Sequence, residues 1–188
     1  MGLIEDIKKN MIGRIATDDE ELRLLAQMID TFCDGNHLEI GVLHGGTMVL
    51  AGKLIGGAVI GIDPFDGYYM DNEDKACAVD PITKVPVTPA VCMRNLDSFG
   101  INNYMLCCVK SDPFPIEGEF DTAFIDGDHW GNTPYKDWLN VSKRTKRAIM
   151  LDNCDPEHPD VEYVLNHADG WKVWKQSKKG VVLVKEDE

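Results

Sequence analysis

Four short stretches of this chain carry side chains able to do chemistry. The first is Glu39-Ile40-Gly41-Val42-Leu43-His44-Gly45-Gly46-Thr47. Glycines at the mouth of a helix let a ligand come close to the backbone. Their G-x-x-x-G spacing is not the G-x-G-x-x-G of a dinucleotide turn. Read alone, it is equally a tight connection. The second stretch ends at Asp63, 22 residues after Gly41. A carboxylate there can accept hydrogen bonds from two ribose hydroxyls; the plain alternative is a turn residue before Pro64. Together the glycine turn and Asp63 point to a ligand that contains a nucleoside. The third and fourth stretches are Asp126-Gly127-Asp128-His129-Trp130 and Asp152-Asn153. Brought together, Asp126, Asp152 and Asn153 offer three hard oxygen donors. That set suits Mg2+ or Ca2+, with water and substrate oxygens completing the shell. The same aspartates are equally able to cap helices.

Something must position these stretches, and the patterning says what. HLEIGV (37–42), AVIGID (58–63), YMLCCVK (104–110), DTAFID (121–126) and RAIMLDN (147–153) read as strands. Helical patterns separate them, one ended by Gly56-Gly57, one opened by Thr88-Pro89 and ended by Gly100, one opened by Thr133-Pro134. Strand, glycine turn, helix and strand in quick succession is the signature of a parallel sheet. GWKVWKQ and GVVLVK close the chain as an antiparallel hairpin. The expected fold is α/β, a doubly wound Rossmann-like sheet of seven strands, five parallel plus the C-terminal hairpin. Ligands in such sheets bind beyond the strand C-termini, at the switch in strand order. All four stretches lie at strand C-termini.

Residues 1–188 are expected to form a single domain, with a short helical segment over 1–35. Thr17 and Glu20 have the spacing of a capping box, ahead of Leu22, Leu25, Met28, Ile29 and Phe32 at helical intervals. Residues 64–87 show no clean periodicity. A loop that long is often a lid, and otherwise a poorly ordered insertion.

Composition narrows the function. Nineteen basic against 32 acidic residues leave a net charge of −13. Binding to duplex nucleic acid depends on neutralising phosphates, so the expected partners include no nucleic acid, and no anionic membrane. No apolar run approaches the roughly 20 residues of a membrane span, and MGLIEDIKKN lacks the order of a signal peptide. The six cysteines form no C-x-x-C pair and read as reduced, buried thiols of a cytoplasmic protein.

HLEIGVLHGGT, VIGIDPFDG, DTAFIDGDHW and IMLDN, in this order, resemble a class I S-adenosylmethionine-dependent methyltransferase. With the terminal hairpin the likeness covers roughly residues 20 to 185. The Asp126-Gly-Asp-His and Asp152-Asn153 segments are similar to the metal-dependent O-methyltransferases of the catechol, caffeoyl-CoA and macrolide-sugar types. The resemblance implies that Gly41 and Gly45 lie under the methionine part of the cofactor, with Glu39 supporting the turn. It implies that Asp63 holds the ribose, that Ser111 or Asp112 contacts adenine, and that Asp126, Asp152 and Asn153 hold the metal. His129 stands where catechol-type enzymes carry a lysine base. Asp126 and His129 are then the catalytic residues. A divalent ion lowers the pKa of an acceptor hydroxyl, and an imidazole can take its proton.

The implied partner is a small hydroxylated substrate, a sugar or a phenol, and the reading admits a homodimer. Two other readings stand beside it: an NAD-linked Rossmann-type oxidoreductase, and a non-catalytic S-adenosylmethionine-binding module. Trp130, Tyr135 and Trp138 are candidates for an aromatic wall, with core packing the better reading of Trp138. His44 reads as a solvent-facing turn residue with the option of touching the cofactor. His37, His158 and His167 belong to no constellation.

Overall fold

Short aliphatic runs alternate with amphipathic ones along the chain, and the structure lays the aliphatic runs side by side. A computed structural model of the chain describes residues 2–69, 76–77 and 79–186. In chain order the elements are α1 (Leu3–Asn10), α2 (Asp19–Phe32), β1 (His37–Ile40), α3 (Gly46–Leu54), β2 (Val59–Ile62), β3 (Tyr68–Tyr69), β4 (Ala76–Cys77), α4 (Pro89–Ser98), β5 (Tyr104–Cys107), β6 (Phe120–Ile125), α5 (Thr133–Ser142), β7 (Thr145–Leu151), α6 (Pro159–Leu165), β8 (Trp171–Gln176) and β9 (Val181–Lys185). The main sheet has the order β5-β2-β1-β6-β7-β9-β8. β1 pairs in parallel with β2 and β6, β2 with β5, and β6 with β7. β9 inserts between β7 and β8 and runs antiparallel to both. The expected five-plus-two sheet is therefore the observed one.

Alternation along the strands explains why helices cover both faces. Leu38 and Ile40 of β1, with Ile149 and Leu151 of β7, pack with Trp138, Val141, Val161 and Val164 of α5 and α6. Phe124 of β6, with Ala148 and Met150 of β7, packs with α1 to α4 through Ile7, Leu25, Met48 and Leu96. Thr88 caps α4, accepting from the Val91 N–H, and Gly100 leaves it at φ +72°. Among the described residues no helix is long and apolar enough to cross a membrane.

Some local expectations are overturned. Asp18, not Thr17, is the N-cap residue of α2, without a side-chain cap. The Thr17 hydroxyl instead donates to Asp126 at 3.4 Å. The segment before α2 also holds a further helix, α1, whose Ile7 is fully buried. Of the free cysteines described, only Cys92 is buried and Cys108 is exposed, because β5 stops at Cys107 on the sheet's outer edge. The proposed lid, 64–87, falls partly on residues 70–75 and 78, outside the described residues. In its described part Asp80 is buried. It accepts from the Ile82 and Thr83 N–H groups and pairs with Arg14 at 2.7 Å.

Candidate functional site at the strand C-termini

The strand order reverses at β1. The chain builds outward to β2 and β5, then returns to β1's other side with β6 and β7. The exits of β1 and β6 meet there. The Asp126 N–H donates to the Ile40 carbonyl at 2.8 Å and the Gly41 N–H to the Ile62 carbonyl at 3.0 Å. Gly41 has φ +85°, and a Cβ on it would lie 1.9 Å from the Asp126 carbonyl oxygen. No side chain fits, so this glycine is required by the chain's own crossing. A Cβ on Gly45 (φ +80°) would meet Cys92 Sγ at 2.6 Å.

Asp63 leaves β2 and turns back onto the glycine turn. Its Oδ2 accepts from the Val42 N–H at 2.8 Å and the Leu43 N–H at 3.0 Å, and its Oδ1 from the Phe65 N–H at 2.7 Å. Burial raises its pKa and these three backbone donors oppose the rise. A carboxylate has about four lone-pair sites, so acceptor capacity remains on Oδ1. Glu39, fully buried on the α3 side of β1, accepts from the Thr47 hydroxyl, and its Oε2 has no partner among the described residues. Burial pushes its carboxyl well above the usual range, against the Thr47 bond and with Asp126 and Asp63 adding to the rise.

Asp126 and Asp152 stand at neighbouring strand ends. Burial pushes the Asp152 carboxyl well above the usual range, and the Asp126 charge adds to it. The Asn153 backbone N–H and His129 hold it down, and Glu21 of α2 raises it again. His129 Nε2 lies 3.3 Å from Asp126 Oδ1. The His129 ring meets His158 edge-on at 5.3 Å, and His158 also meets Trp130 at 5.5 Å. Asp155 Oδ1 is 3.0 Å from His158 Nδ1. Leu43, Phe65 and Asn153 all have positive φ, at +51°, +50° and +54°. They sit at the exits of β1, β2 and β7. Left-handed backbone in non-glycine residues clusters at ligand sites elsewhere.

The structure thus brings Glu39, Gly41, Asp63, Asp126, His129, Asp152 and Asn153 to one rim. Ser111 and Asp112, beyond β5, part company. Asp112 is exposed and pairs with Lys136 at 2.9 Å, whereas Ser111 faces the buried Asp137 of α5. His44 is not at the surface. It is fully buried against Gly13, with Nδ1 3.3 Å from the Arg14 N–H, because residues 11–17 fold over the glycine turn. Trp138 is a core residue, edge-on to Trp171 at 5.5 Å. Tyr135 packs on Tyr163, so the aromatic wall beside Asp126 consists of Trp130 and two histidines. Residues unforeseen in the sequence are Asp137, His158 and Thr17. Asp137 carried a readable signal: with Pro134, Trp138 and Val141 it falls on the buried face of its helix.

Comparison with solved structures places this architecture. The O-methyltransferase NovP superposes with a TM-score of 0.69 at 14% identity, over 97% of this chain and 88% of that one. An O-methyltransferase from Bacillus cereus, in complex with S-adenosylhomocysteine, gives 0.64 at 15% identity, over 98% and 90%. An rRNA methylase from Streptococcus thermophilus gives 0.59 at 13%, over 92% and 100%. No protein-family model and no curated protein matches the sequence. The chain has the fold of the class I S-adenosylmethionine-dependent methyltransferases, as its motifs lead one to expect.

Proposed function

We propose that this chain is an S-adenosylmethionine-dependent methyltransferase acting on a hydroxyl oxygen of a small sugar or phenol, with a divalent cation assisting. One observation carries the reading: where the strand order reverses, a glycine turn bonded to Asp63 shares one rim with the Asp126 and Asp152 carboxylates. S-adenosylmethionine supplies an electrophilic methyl group on a sulfonium. Gly41 and Gly45 would shape the floor under its methionine part, with Glu39 fixing α3 to β1 through Thr47. Asp63 would receive a ribose hydroxyl at the capacity left on Oδ1. Ser111, rather than the Lys136-paired Asp112, would face the adenine.

The donor set at Asp126 and Asp152 fits a hard cation. Among the described residues no cluster of three or more His, Cys, Asp or Glu is arranged to hold a metal. The fit therefore rests on two carboxylates and the Asn153 amide oxygen. The Asp126 charge adds to the raised proton affinity of the buried Asp152, and a cation between them would remove that cost. Bound there, such an ion acidifies and orients a hydroxyl. His129 would take the acceptor's proton at Nε2, the nitrogen directed at Asp126. Asp155 steadies His158, and His158 and Trp130 wall the site beside it. Positioning supplies most of the remaining rate.

The oxidoreductase reading fares worse on geometry. A dinucleotide pyrophosphate is cradled by backbone N–H groups of the glycine turn. Here the Val42 and Leu43 N–H groups are already bonded to Asp63. A small acceptor also agrees better with a net charge of −13 than an RNA does.

Calorimetric titration with S-adenosylmethionine and S-adenosylhomocysteine, with and without Mg2+, tests the proposal. Binding of both is expected. Absence of any heat at high micromolar ligand, together with a fluorescence response to NADH, would replace this reading with the oxidoreductase one.

A further inference from the structure

The C-terminal hairpin carries a charge opposite to that of the rest of the chain. From Trp171 to Lys185 there are five lysines, Lys172, Lys175, Lys178, Lys179 and Lys185, and no acidic residue, in a chain with 32 acidic and 19 basic residues. These charges are held in place without being neutralised. Lys175 Nζ donates to the Gln27 side-chain oxygen at 3.1 Å and lies 4.6 Å from the centre of the Trp174 ring. Lys185 Nζ lies 5.6 Å from the centre of the Trp171 ring. Of the five, only Lys179 has a carboxylate within ion-pair distance among the described residues, Asp18 at 4.0 Å.

The same hairpin ends the sheet. β8 pairs with β9 and has no strand on its other side, so a row of main-chain N–H and C=O groups faces outward. Val173 is 48% exposed there, flanked along the strand by the exposed Lys172 and Lys175. Beside the edge, a groove of about 210 Å3 separates Arg23, Leu24 and Gln27 of α2 from Lys175 and Gln176 of β8. Its one acidic lining residue is Glu20. Edge lysines also keep sheets from pairing with one another. That purpose alone does not explain these, because the opposite edge, β5, reads Tyr-Met-Leu-Cys and carries no charge.

Such a surface suits an extended peptide better than a nucleic acid. An added strand bonds an open main-chain edge, and its alternate side chains meet the residues beside it. Acidic residues would face the lysines, and an apolar one would cover Val173. A phosphate polymer uses neither the edge nor Val173, and beyond the hairpin it meets an acidic chain. We propose that β8 and the groove beside α2 form a docking strip for an extended acidic segment of a partner protein. The strip ends at the candidate site. In the β8–β9 turn the Ser177 hydroxyl donates to Glu21 at 2.8 Å and the Lys179 N–H to the same carboxylate at 3.2 Å, while the Lys179 carbonyl accepts from the Cys154 N–H at 2.6 Å. The Glu21 charge bears on Asp152. A partner seated on the strip is thereby placed beside the acceptor end of the rim.

The test uses the full chain and a fluorescein-labelled peptide of about ten residues that alternates glutamate and valine, read by fluorescence polarisation. The unaltered protein should bind it, more weakly as salt rises. The counterpart with lysine in place of glutamate should not bind. Lys172→Glu combined with Lys175→Glu should weaken binding by more than about tenfold, whereas Lys53→Glu, at an exposed position of α3, should leave it unchanged. Val173→Ser keeps every lysine and should weaken binding a few-fold; an unchanged value would move the peptide off the edge and overturn the strip. No binding at high micromolar protein, or full binding by the double variant, would overturn it too. So would a single-stranded RNA of similar length that binds more tightly than the peptide and is lost in the same variant, which would assign the hairpin to nucleic acid. S-adenosylhomocysteine should bind the double variant as it binds the unaltered protein. The strip is judged by the peptide and the cofactor reading by this ligand, so either can fail alone.

Discussion

The two ends of the parallel sheet treat polar groups in opposite ways. At the end where the strands begin, charges lie outside and are matched. Arg147 pairs with Asp34, Lys146 with Glu119 at 3.0 Å, and Asp121 accepts from the Asp34 and Gly35 N–H groups. Among the buried polar residues there, His37 bonds Thr122 through Nδ1 at 2.8 Å while its Nε2 has no partner among the described residues, and burial lowers its pKa to about 3, so it stays uncharged. At the end where the strands finish, carboxylates gather inside. Glu39 keeps an unbonded oxygen, Asp137 is buried with Ser111 facing it, the Asp126 charge bears on Asp152, and the backbone of Leu43, Phe65 and Asn153 is left-handed. One end is arranged for stability. The other gathers buried carboxylates and left-handed backbone at the cost of stability, the pattern that accompanies functional sites in other proteins.

The contrast can be broken most severely at Gly41. Gly41→Ala should destabilise the protein by at least about 4 kcal/mol, since the methyl group meets a backbone oxygen at a backbone angle alanine resists. Chemical denaturation would measure it, and a loss under about 1 kcal/mol would mean the two strand exits do not cross as described.

Asp137 comes next. Its folded-state pKa is raised, so its ionisation opposes folding. The folded protein should lose stability as pH rises from the unfolded value of 3.8 through about 6. Asp137→Asn removes that loss. The variant should be the more stable by roughly 3 kcal/mol above pH 6, with the advantage gone below pH 4. Melting curves at both pH values decide it; a pH-independent difference would place the carboxylate in contact with solvent.

Asp152→Ala should cut affinity for Mn2+, followed by electron paramagnetic resonance, by more than about a hundredfold, the upper range for partners that only support a ligand. Binding of S-adenosylhomocysteine should be kept. Loss of both together would mean that the two halves of the rim are not separate sites. The smallest effect belongs to the other end. Arg147→Ala removes an exposed ion pair, and its melting temperature should stay unchanged within error at any pH. A large shift there would erase the contrast between the two ends.

Much of this rim was legible beforehand because strand ends are marked locally. A glycine turn after HLEI, an aspartate after VIGI and an Asp-Asn pair after IMLD stand at the points where apolar runs stop. Other features depended on distant contacts. Thr17 has capping spacing, yet its hydroxyl turns to Asp126, 109 residues away. His44 reads as a surface turn until residues 11–17 cover it. His158 stands alone in sequence and acquires His129 and Trp130 as ring neighbours only through β7 and α6. Asp137 sits on the buried side of an amphipathic pattern, but nothing near it in sequence shows that Ser111, beyond β5, faces it.

Period and punctuation along the chain were enough to set the element types, their polarity in the sheet and the residues at their exits. These depend on neighbours within a few positions. The folded arrangement alone decided that Gly41 lies against Asp126, that the Asp126 charge bears on Asp152, and which carboxylates are shut away from water. Those are properties of strand order and burial, and the strength of a charge is set by the medium around it more than by the residues beside it in the chain.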